Sequence, residues 1–558
     1  MAKSIMVVGT ASHVGKSVLT TALCRILSQD GLRVAPFKAQ NMSLNSAVTP
    51  SGREIGRAQA AQAEACGILP NEHMNPVLLK PTGHLQSQVV LQGRPVGTRS
   101  ARDYFFDEKN EIWNAVVESF NYLDERCDVV VLEGAGSPVE MNLKSRDIAN
   151  MRCAEMADAH VILAADIDRG GVFASIVGTI QLLAPHERER VKGIVINKFR
   201  GDPSLFAEGR QWLEDYLEIP VLGVVPHIQD LGIDEEDSVS LSSERYQVKK
   251  PDGVQTPEAF AKSGGSPVRI GIVQLPHISN FTDFDPLFLE PGVQAYFCTK
   301  PEDLSEADAI VIPGTKSTVQ DLAWLHERGF VTAIQQGASC KTALIGICGG
   351  YQMLGKAVLD PHHCESDLES CAGLGVMDAV TTIQLDKTTV LVKGTLTGVY
   401  GGIEVEGYEI HMGATDFSLD PHRQPFAHTR RAEVLASVDT GMPAYDAVVA
   451  DAENADAVNP YVGIQASDPS PEGFVSEDGR VIGTYLHGIL HNDEFRSAWL
   501  NRLRRKKGLP VQRTVLHLDE LRTEAYDRLA DVVREHLDME RIYEMLQLPK
   551  PKRPLRKR

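Results

Sequence analysis

A glycine-rich segment near the start of the chain has the composition of a phosphate-binding loop. Gly9-Thr-Ala-Ser-His-Val-Gly-Lys-Ser17 stands between a short apolar run and a helical pattern. A loop in this place directs backbone N–H groups and the positive end of a helix toward a phosphate. The Lys16 ammonium can reach the outer phosphates, and the Ser17 hydroxyl can bind Mg²⁺. Thr10 stands where the strict pattern has its first glycine, so the pattern is not met strictly. Because a predicted strand, Gly15-Lys-Ser17 and a predicted helix coincide, we interpret the segment as a variant phosphate loop rather than a chance turn.

A cysteine between glycines marks a second possible reactive centre. Gly346-Ile-Cys-Gly-Gly350 follows an apolar run and precedes a helical pattern. This is the Gly-x-nucleophile-x-Gly arrangement, in which a tight strand-to-helix turn exposes the nucleophile. A helix N-terminus lowers the pKa of the thiol, so Cys348 is a candidate nucleophile. The N–H of Gly349 and a donor from the Gly314 turn form a candidate oxyanion hole. A cysteine that only packs needs no flanking glycines.

A cysteine nucleophile needs a base, and two of the seventeen histidines compete for that role. His487 follows the predicted strand Val481–Tyr485, and catalytic groups collect at strand ends in parallel sheets. His411, in Tyr408-Glu-Ile-His-Met-Gly413, is the competitor. For either residue the alternative is a hydrogen-bonded histidine of the core. The position at a strand end favours His487.

Two regions of alternating strands and helices must position these groups. Near-continuous apolar strands separated by helices are typical of a parallel sheet that is covered on both faces. The first region contains the predicted helix Lys16–Gln29, with Gly31 as its C-terminal glycine. Its predicted strands include Asp128–Leu132 and Gly193–Ile196, and the second region contains Ala309–Ile312 and Ala343–Ile347. The expected fold is α/β, with two doubly wound, mostly parallel sheets.

The domain boundaries follow from shifts in composition. We expect a nucleotide-binding domain over residues 1–233 and a linker over 234–267, which is acidic and then rich in Ser, Gly and Pro. A second domain is expected over 268–510, with an insertion of weak periodicity at 420–478. Residues 511–558 read as a helical tail with a basic end, and a frayed terminus is a better interpretation of that end than a nucleic-acid patch.

Composition narrows the class of protein. The chain has 558 residues and a formal net charge of −19, which argues against general nucleic-acid binding. No apolar run approaches a membrane span, and the N-terminus does not resemble a signal peptide. The nine cysteines lack metal-ligand spacing and fit reduced thiols. We therefore expect a cytoplasmic enzyme without nucleic-acid or membrane partners.

The phosphate loop resembles that of dethiobiotin synthetase, whose variant loop is shared by ATP-dependent carboxylate-activating enzymes. The likeness rests on Gly9-Thr10 and Val14-Gly-Lys-Ser17. It implies that ATP binds at this loop and that a second lysine, Lys38, contacts phosphate and substrate. It also implies that Glu133, in Glu133-Gly-Ala-Gly136, holds Mg²⁺ together with Ser17. The residues so implicated in binding ATP are Thr10, Gly15, Lys16, Ser17, Lys38 and, for the nucleotide base, Asn197.

Gly-Ile-Cys-Gly-Gly-Tyr-Gln-Met-Leu, with a later strand-end histidine, resembles the class I (triad) glutamine amidotransferases. The resemblance implies that Cys348 attacks glutamine and that His487 serves as its base. One position departs from the pattern. The triad glutamate normally follows the histidine by two residues, and here that position is Ile489. The third member of the triad is therefore missing or supplied from elsewhere.

The fusion of these two halves resembles a small family of cobalamin biosynthesis, the cobyric acid synthases and cobyrinic acid a,c-diamide synthases. Phe37-Lys-Ala-Gln-Asn-Met-Ser-Leu-Asn-Ser46 and Gly52-Arg-Glu-Ile-Gly-Arg-Ala-Gln59 look like the cobyric acid synthase branch. That branch implies ATP- and glutamine-dependent amidation of the b, d, e and g carboxylates of adenosylcobyrinic acid a,c-diamide. An anionic corrinoid needs a basic cleft, for which the candidates are Lys38, Arg57, Arg146 and Arg169.

Three other functions stay open at this stage. The sister enzyme that amidates carboxylates a and c is the nearest, and Gln40-Asn-Met-Ser-Leu-Asn45 weighs against it. A partition-type regulatory ATPase would use the loop as a switch, but the cysteine turn argues against that function. A scaffold without glutaminase activity is the third, because Ile489 replaces the usual glutamate.

Overall fold

A computed structural model describes residues 1–83, 86–100, 104, 110–228, 267–418, 420–433, 465–466 and 468–549. The expected linker lies outside these residues except for Pro267. The middle of the expected insertion (434–464) and the basic end (550–558) also lie outside them. We call residues 1–228 the first half and residues 267–509 the second half.

A parallel sheet of six described strands forms the centre of the first half. Ile5 and Val7 point to one face while Met6 and Val8 point to the other, and all four are buried. Burial on both faces explains why this strand reads as a continuous apolar run. In spatial order the strands are Val221–Pro226, Val191–Phe199, His160–Asp166, Lys3–Gly9, Val129–Glu133 and Val34–Phe37.

A second sheet of six described strands forms the centre of the second half. Five of its strands are parallel, and the short strand Phe474–Val475 is antiparallel to its neighbour. The expected α/β fold with two mostly parallel sheets is therefore confirmed. In spatial order the strands are Val293–Cys298, Val268–Val273, Ala309–Ile312, Ala343–Ile347, Val481–Thr484 and Phe474–Val475.

Additional strands, most of them antiparallel, lie outside the two central sheets and were not expected from the sequence. Val380–Leu396 and Glu404–Asp416 form a long hairpin, and Ala427–Glu433 pairs with the first of these strands. The described start of the expected insertion is thus a strand of this sheet. The other members are Ala357–Leu359, Ser370–Ala372, Gln465–Ala466 and Ser470–Glu472. In the first half the supplementary strands are Gln40–Met42, Ser46–Val48, Glu54–Gly56, Val77–Gly83, Gln86–Leu91 and Arg94–Ser100.

Helices cover the sheets. The predicted helix Lys16–Gln29 is confirmed, and Gly31 follows it with a φ of +87°. The other helices of the first half are Arg57–Cys66, Asn110–Asp124, Met151–Met156, Val172–Leu182, Pro185–Arg188 and Ala207–Leu217. Those of the second half are Asp285–Leu289, Thr318–Glu327, Phe330–Ser339, Gly349–Met353 and Asp493–Lys506. Among the described residues, no helix is long and apolar enough to cross a membrane.

Two helices beyond the second half, Leu518–His536 and Met539–Met545, return to the first sheet. Their buried side chains, among them Leu529 and Val533, join the same apolar cluster as Ile5 and Val7. Arg25 pairs with Asp527 at 2.7 Å, and Arg534 pairs with Asp30 at 2.9 Å. The expected helical tail therefore completes one face of the first sheet.

Candidate functional site

The phosphate loop is held at both ends by the first sheet. The backbone N–H of Thr10 donates to the carbonyl of Ala164 at 3.0 Å. Gly15, at the start of the helix, has a φ of +94°, a conformation that favours glycine. A Cβ at Gly15 would lie 2.1 Å from Asn197 Nδ2, which donates to the carbonyl of Val14 at 2.8 Å. Asn197 therefore braces the loop, and its contact with a nucleotide base stays a prediction.

Two of the predicted residues, Ser17 and Lys38, meet at the carboxylate of a third, Glu133. The hydroxyl of Ser17 donates to Oε1 at 2.8 Å, and Lys38 Nζ donates to the same oxygen at 2.9 Å. Gln62 Nε2 donates to Oε2 at 2.6 Å. Lys38 and Glu133 are both buried, so this ion pair is held away from bulk water. The first sheet thus gathers residues that come from four separate segments of the chain.

The oxygen atoms of this cluster suit a magnesium ion. A serine hydroxyl next to a carboxylate at the start of a phosphate-binding helix is the hard oxygen donor set that Mg²⁺ prefers. Lys16 Nζ donates to the carbonyls of Ala11 and Gly136, each at 3.0 Å, which holds its ammonium across the loop. Gln62 was not anticipated, because a glutamine inside a helical pattern carries no motif. Its only signal is that its helix must face the sheet.

The remaining basic candidates lie in different surroundings. The Arg57 guanidinium is 3.5 Å from Glu64, and Arg169 is exposed with its nearest carboxylate, Asp166, at 4.0 Å. Arg146 is partly buried in the short 3₁₀ turn Lys144–Arg146. Only Lys38 of the four belongs to the Glu133 cluster. The basic cleft for a corrinoid therefore stays a prediction.

The second centre lies on the turn between Ala343–Ile347 and Gly349–Met353. Cys348 has a φ of +52°, which is a strained conformation for a residue with a side chain. A Cβ at Gly350 would lie 2.0 Å from the carbonyl of Ile312, so glycine is required there. The turn accordingly has the geometry that the Gly-x-Cys-x-Gly pattern predicted, and it aims the thiol into a cavity.

His487 lies beside Cys348 and is the better placed of the two histidines. Its Nδ1 is 2.7 Å from Asp283 Oδ2, and both side chains are almost fully buried. Burial alone would lower the pKa of His487, but the negative charges of Asp283 and of the Cys348 thiolate raise this pKa to about 10. The Tyr408 ring stacks on the imidazole with a centroid distance of 5.2 Å. A thiol, an imidazole and a carboxylate thus stand in the order of a catalytic triad.

Asp283 lies where the third member of the triad is expected, a role for which the sequence motif contained no residue. It lies on the 3₁₀ turn Phe281–Phe284, and its second oxygen accepts from the N–H of Gly488 at 3.0 Å. Ile489, where the usual glutamate would be, is buried in the apolar core. Asp283 was not expected from the sequence because it stands 204 residues before His487. A buried aspartate between two core phenylalanines, Phe281 and Phe284, was the available signal.

The ring nitrogens of His411 are engaged elsewhere. Its Nδ1 is 2.8 Å from the carbonyl of Gly413, its Nε2 is 3.2 Å from Glu409 Oε2, and the ring stacks on Tyr485. His411 nevertheless lines the same cavity as Cys348. The structure therefore favours His487 as the partner of the thiol.

The two turns that carry Gly314 and Gly349 contact each other near the thiol. A Cβ at Gly349 would lie 3.1 Å from the backbone nitrogen of Thr315, and a Cβ at Gly314 would lie 3.1 Å from His487 Cε1. Both glycines thus adjoin the Cys348–His487 pair. Their N–H groups as an oxyanion hole stay a prediction.

The cavity at Cys348 lies where the two halves meet. It is lined by Cys348, His487 and Asn280 of the second half and by Lys80 of the first. Lys80 Nζ is 2.6 Å from Glu54, which also binds Lys387 of the second half. All three of these charged side chains are buried, so an ion-pair cluster joins the halves beside the cavity.

Ser46 of the first half is held on both sides by residues that adjoin His487. Its N–H donates to Asn280 Oδ1 at 2.8 Å, and its carbonyl accepts from the Tyr408 hydroxyl at 3.1 Å. The N–H of Phe281 also donates to Asn45 Oδ1 at 3.3 Å. The segment that carries Asp283 therefore rests directly on the first half.

Comparison with known proteins agrees with this division. Residues 5–240 match the family model described as the CobQ/CobB/MinD/ParA nucleotide binding domain. Residues 269–449 match the CobB/CobQ-like glutamine amidotransferase domain. The cobyric acid synthase of Moorella thermoacetica is 44% identical over 557 residues, which are 99% of this chain and 98% of the relative.

Further relatives have the same description and coverage. The cobyric acid synthase of Caldanaerobacter subterraneus is 45% identical, and that of Salmonella agona is 43% identical. Each alignment spans 98% of this chain and 99% of the relative. An alignment of this length includes both halves and the helices beyond them. The chain belongs to the cobyric acid synthase family, the glutamine-dependent amide-forming ligases of cobalamin biosynthesis.

Proposed function

We propose that this enzyme converts adenosylcobyrinic acid a,c-diamide to adenosylcobyric acid by amidating the carboxylates b, d, e and g, with glutamine as the nitrogen source and ATP as the energy source. The observation that carries the proposal is that two clusters of reactive side chains occur in one chain. Glu133 with Ser17 and Lys38 makes one centre, and Cys348 with His487 and Asp283 makes the other.

The second half would release ammonia. The Cys348 thiolate attacks the side-chain amide carbon of glutamine, and His487 donates a proton to the departing ammonia. Water then attacks the thioester with His487 as the base, which releases glutamate and restores the thiol. Asp283 holds the imidazole in one orientation and stabilises its protonated form through the 2.7 Å contact.

The first half would activate the acceptor. A corrinoid carboxylate attacks the γ-phosphorus of ATP, ADP leaves, and ammonia then displaces inorganic phosphate from the acyl phosphate. Lys16 and Lys38 bind and orient the phosphate oxygens on which negative charge accumulates. Ser17 and Glu133 are the residues that would hold Mg²⁺, which when bound neutralises phosphate charge.

The junction between the halves supports a sheltered transfer of ammonia. Ammonia that reaches neutral water becomes mostly ammonium, which is not a nucleophile. Lys80 of the first half lines the cavity at Cys348, so the first half covers part of the space in front of the thiol. Cys348 itself is only 6% exposed. We therefore place the route for ammonia at this junction.

The substrate is tested by mass spectrometry of adenosylcobyrinic acid a,c-diamide after incubation with enzyme, Mg-ATP and glutamine. Four successive acid-to-amide mass steps are expected. Two steps on cobyrinic acid, with none on the diamide, would assign the chain to the sister activity instead. ATP hydrolysis with no change in either corrinoid would refute the corrinoid proposal.

The two-centre mechanism is tested with Cys348→Ala. This variant should lose amidation from glutamine and keep amidation from added ammonium salts, because the first half does not need the thiol. Cys340→Ala, at an exposed cysteine of the same half, is the matched control and should keep both activities. Loss of both activities in Cys348→Ala alone would contradict independent centres, and retained use of glutamine would show that Cys348 is not the nucleophile.

A further inference from the structure

Two side chains of opposite charge face the cavity of Cys348 and have no part in the mechanism above. Lys316 follows the Gly314 turn, where its backbone N–H donates to the carbonyl of His277 at 3.0 Å. Glu365 lies on the facing loop, where Ser317 Oγ donates to its carbonyl at 2.9 Å. Each is therefore fixed in place by its backbone, and each presents its charge to the cavity.

The two charges do not neutralise each other by direct contact. Among the described residues, no carboxylate lies within 4.0 Å of the Lys316 ammonium, whereas Lys80 and Lys387 both bind Glu54. Glu365 Oε2 accepts from the backbone N–H of Thr318 at 2.9 Å, and no cationic side chain among the described residues lies within 4.0 Å of its carboxylate. A cation and an anion thus line one cavity with a gap between them.

We infer that Lys316 binds the α-carboxylate of glutamine and that Glu365 binds its α-ammonium group, which makes the pair the specificity determinant of the glutaminase centre. The inference rests on the proposed function, because it assumes that glutamine enters this cavity with its amide at Cys348. A zwitterion placed in the gap would give each side chain a charge-assisted hydrogen bond.

The electrostatics of the cavity agree with this assignment. Burial lowers the pKa of Lys316, although Glu365 acts in the opposite direction. Burial raises the pKa of Glu365, although Lys316 and the N–H of Thr318 act in the opposite direction. Each charge is thus incompletely compensated in the free protein. The charged head of glutamine would supply a counter-charge to both at once.

The pair Lys316 and Glu365 would also explain why the glutaminase centre does not hydrolyse glutamine residues inside peptides. A glutamine residue inside a polypeptide has the same side chain but neither of the two α-charges. It would leave Lys316 and Glu365 desolvated without partners, and a site of this kind discriminates strongly against such analogues. The centre is therefore selective for the free amino acid.

The test uses two analogues that each lack one charge. Glutaramic acid lacks the α-amino group of glutamine, and 4-aminobutanamide lacks the α-carboxylate. The wild-type enzyme should hydrolyse each with a kcat/KM about 10- to 100-fold below that for glutamine, the loss expected for one charge-assisted hydrogen bond. The wild-type enzyme must hydrolyse glutamine itself, and failure there would refute the proposed function before the variants are considered.

Each variant should lose discrimination only against the analogue that lacks the charge bound by the substituted side chain. Lys316→Gln should raise KM for glutamine about 10- to 100-fold with little change in kcat, and it should no longer prefer glutamine over 4-aminobutanamide. Glu365→Gln should show the same change toward glutaramic acid. Each variant should keep its discrimination against the other analogue. Lys356→Gln and Asp367→Asn, at exposed positions of the same half, are the controls and should resemble the wild type.

Two results would overturn the inference while leaving the proposed function intact. One is unchanged discrimination between glutamine and the analogues in both variants. The other is a loss of discrimination that follows the wrong charge, such as a Lys316→Gln variant that no longer prefers glutamine over glutaramic acid but still prefers it over 4-aminobutanamide. Amidation from ammonium salts reports that a variant is folded and should be unchanged.

Discussion

The contact between Asp283 and His487 gives the sharpest prediction. Asp283→Asn keeps the size of the side chain and removes its charge at a 2.7 Å contact in a buried site. A hydrogen bond to a charged group contributes ~1.5–3 kcal/mol. One pKa unit corresponds to ~1.4 kcal/mol, so the pKa of His487 should fall from about 10 to roughly 8–9.

Removing this ~1.5–3 kcal/mol interaction also destabilises the thiolate–imidazolium pair on which the mechanism depends. We expect kcat/KM for glutamine to fall about 10- to 100-fold in Asp283→Asn, because the protonated form of His487 loses the negative charge that stabilises and orients it. Release of glutamate measures this rate. The pH dependence of this rate reports the ionisation of His487, and the limb that belongs to this group should move to lower pH in the variant.

The controls separate this effect from a general loss of folding. Asp303→Asn alters an aspartate of the same half whose carboxylate accepts from the backbone N–H groups of Thr299 and Lys300. It should leave the glutaminase rate unchanged. Amidation from ammonium salts should be equal in wild type and Asp283→Asn. A kcat/KM for glutamine within threefold of wild type in Asp283→Asn would refute the role of Asp283.

Three further predictions concern other parts of the molecule. Lys16→Ala should lower ATP-dependent amidation by more than 100-fold with either nitrogen source, while glutamine hydrolysis measured alone changes less than threefold. The pKa of His487 rises from 6.5 in the unfolded chain to about 10 in the fold. Its contribution to the free energy of unfolding is therefore complete below pH 6.5 and is lost as the pH approaches 10. Urea unfolding at several pH values should show that the wild type loses its stability advantage over His487→Gln across this range. Leu529→Ala should lower the free energy of unfolding by about 2–5 kcal/mol in chemical denaturation, whereas Glu524→Ala, on the exposed face of the same helix, should change it by less than about 0.5 kcal/mol.

The sequence predicted the elements whose signal is local. The helix Lys16–Gln29 and the strands Ala309–Ile312 and Ala343–Ile347 have the expected bounds, because an apolar run between turn residues specifies a buried strand by itself. The long hairpin of Val380–Leu396 and Glu404–Asp416 was missed. Its burial alternates irregularly and its register shifts between Ile383 and Thr388, so it lacks a clean period of two.

The residues of the candidate site also differ in whether their signal in the sequence is local. Cys348 and Lys16 stand in motifs whose spacing is set by one turn of the chain, so the sequence alone indicates them as candidates. Asp283 and Gln62 act only through partners that are distant in sequence, His487 and Glu133. No local rule specifies such a pair, since the fold decides which side chains meet. Spacing therefore indicates candidate reacting groups, whereas the residues that contact them are known only from the fold.

The return of Leu518–His536 to the first sheet has a consequence for synthesis of the chain. The last strand of that sheet ends at Pro226, and about 300 residues separate it from Leu529. At ~5–20 residues per second, a ribosome needs roughly 15–60 s to cross this interval. During that time the apolar face formed by Ile5 and Val7 is incompletely covered, while the second half can already fold. The first half therefore completes this apolar cluster only after the second half has been synthesised, and until then part of the cluster is open to aggregation.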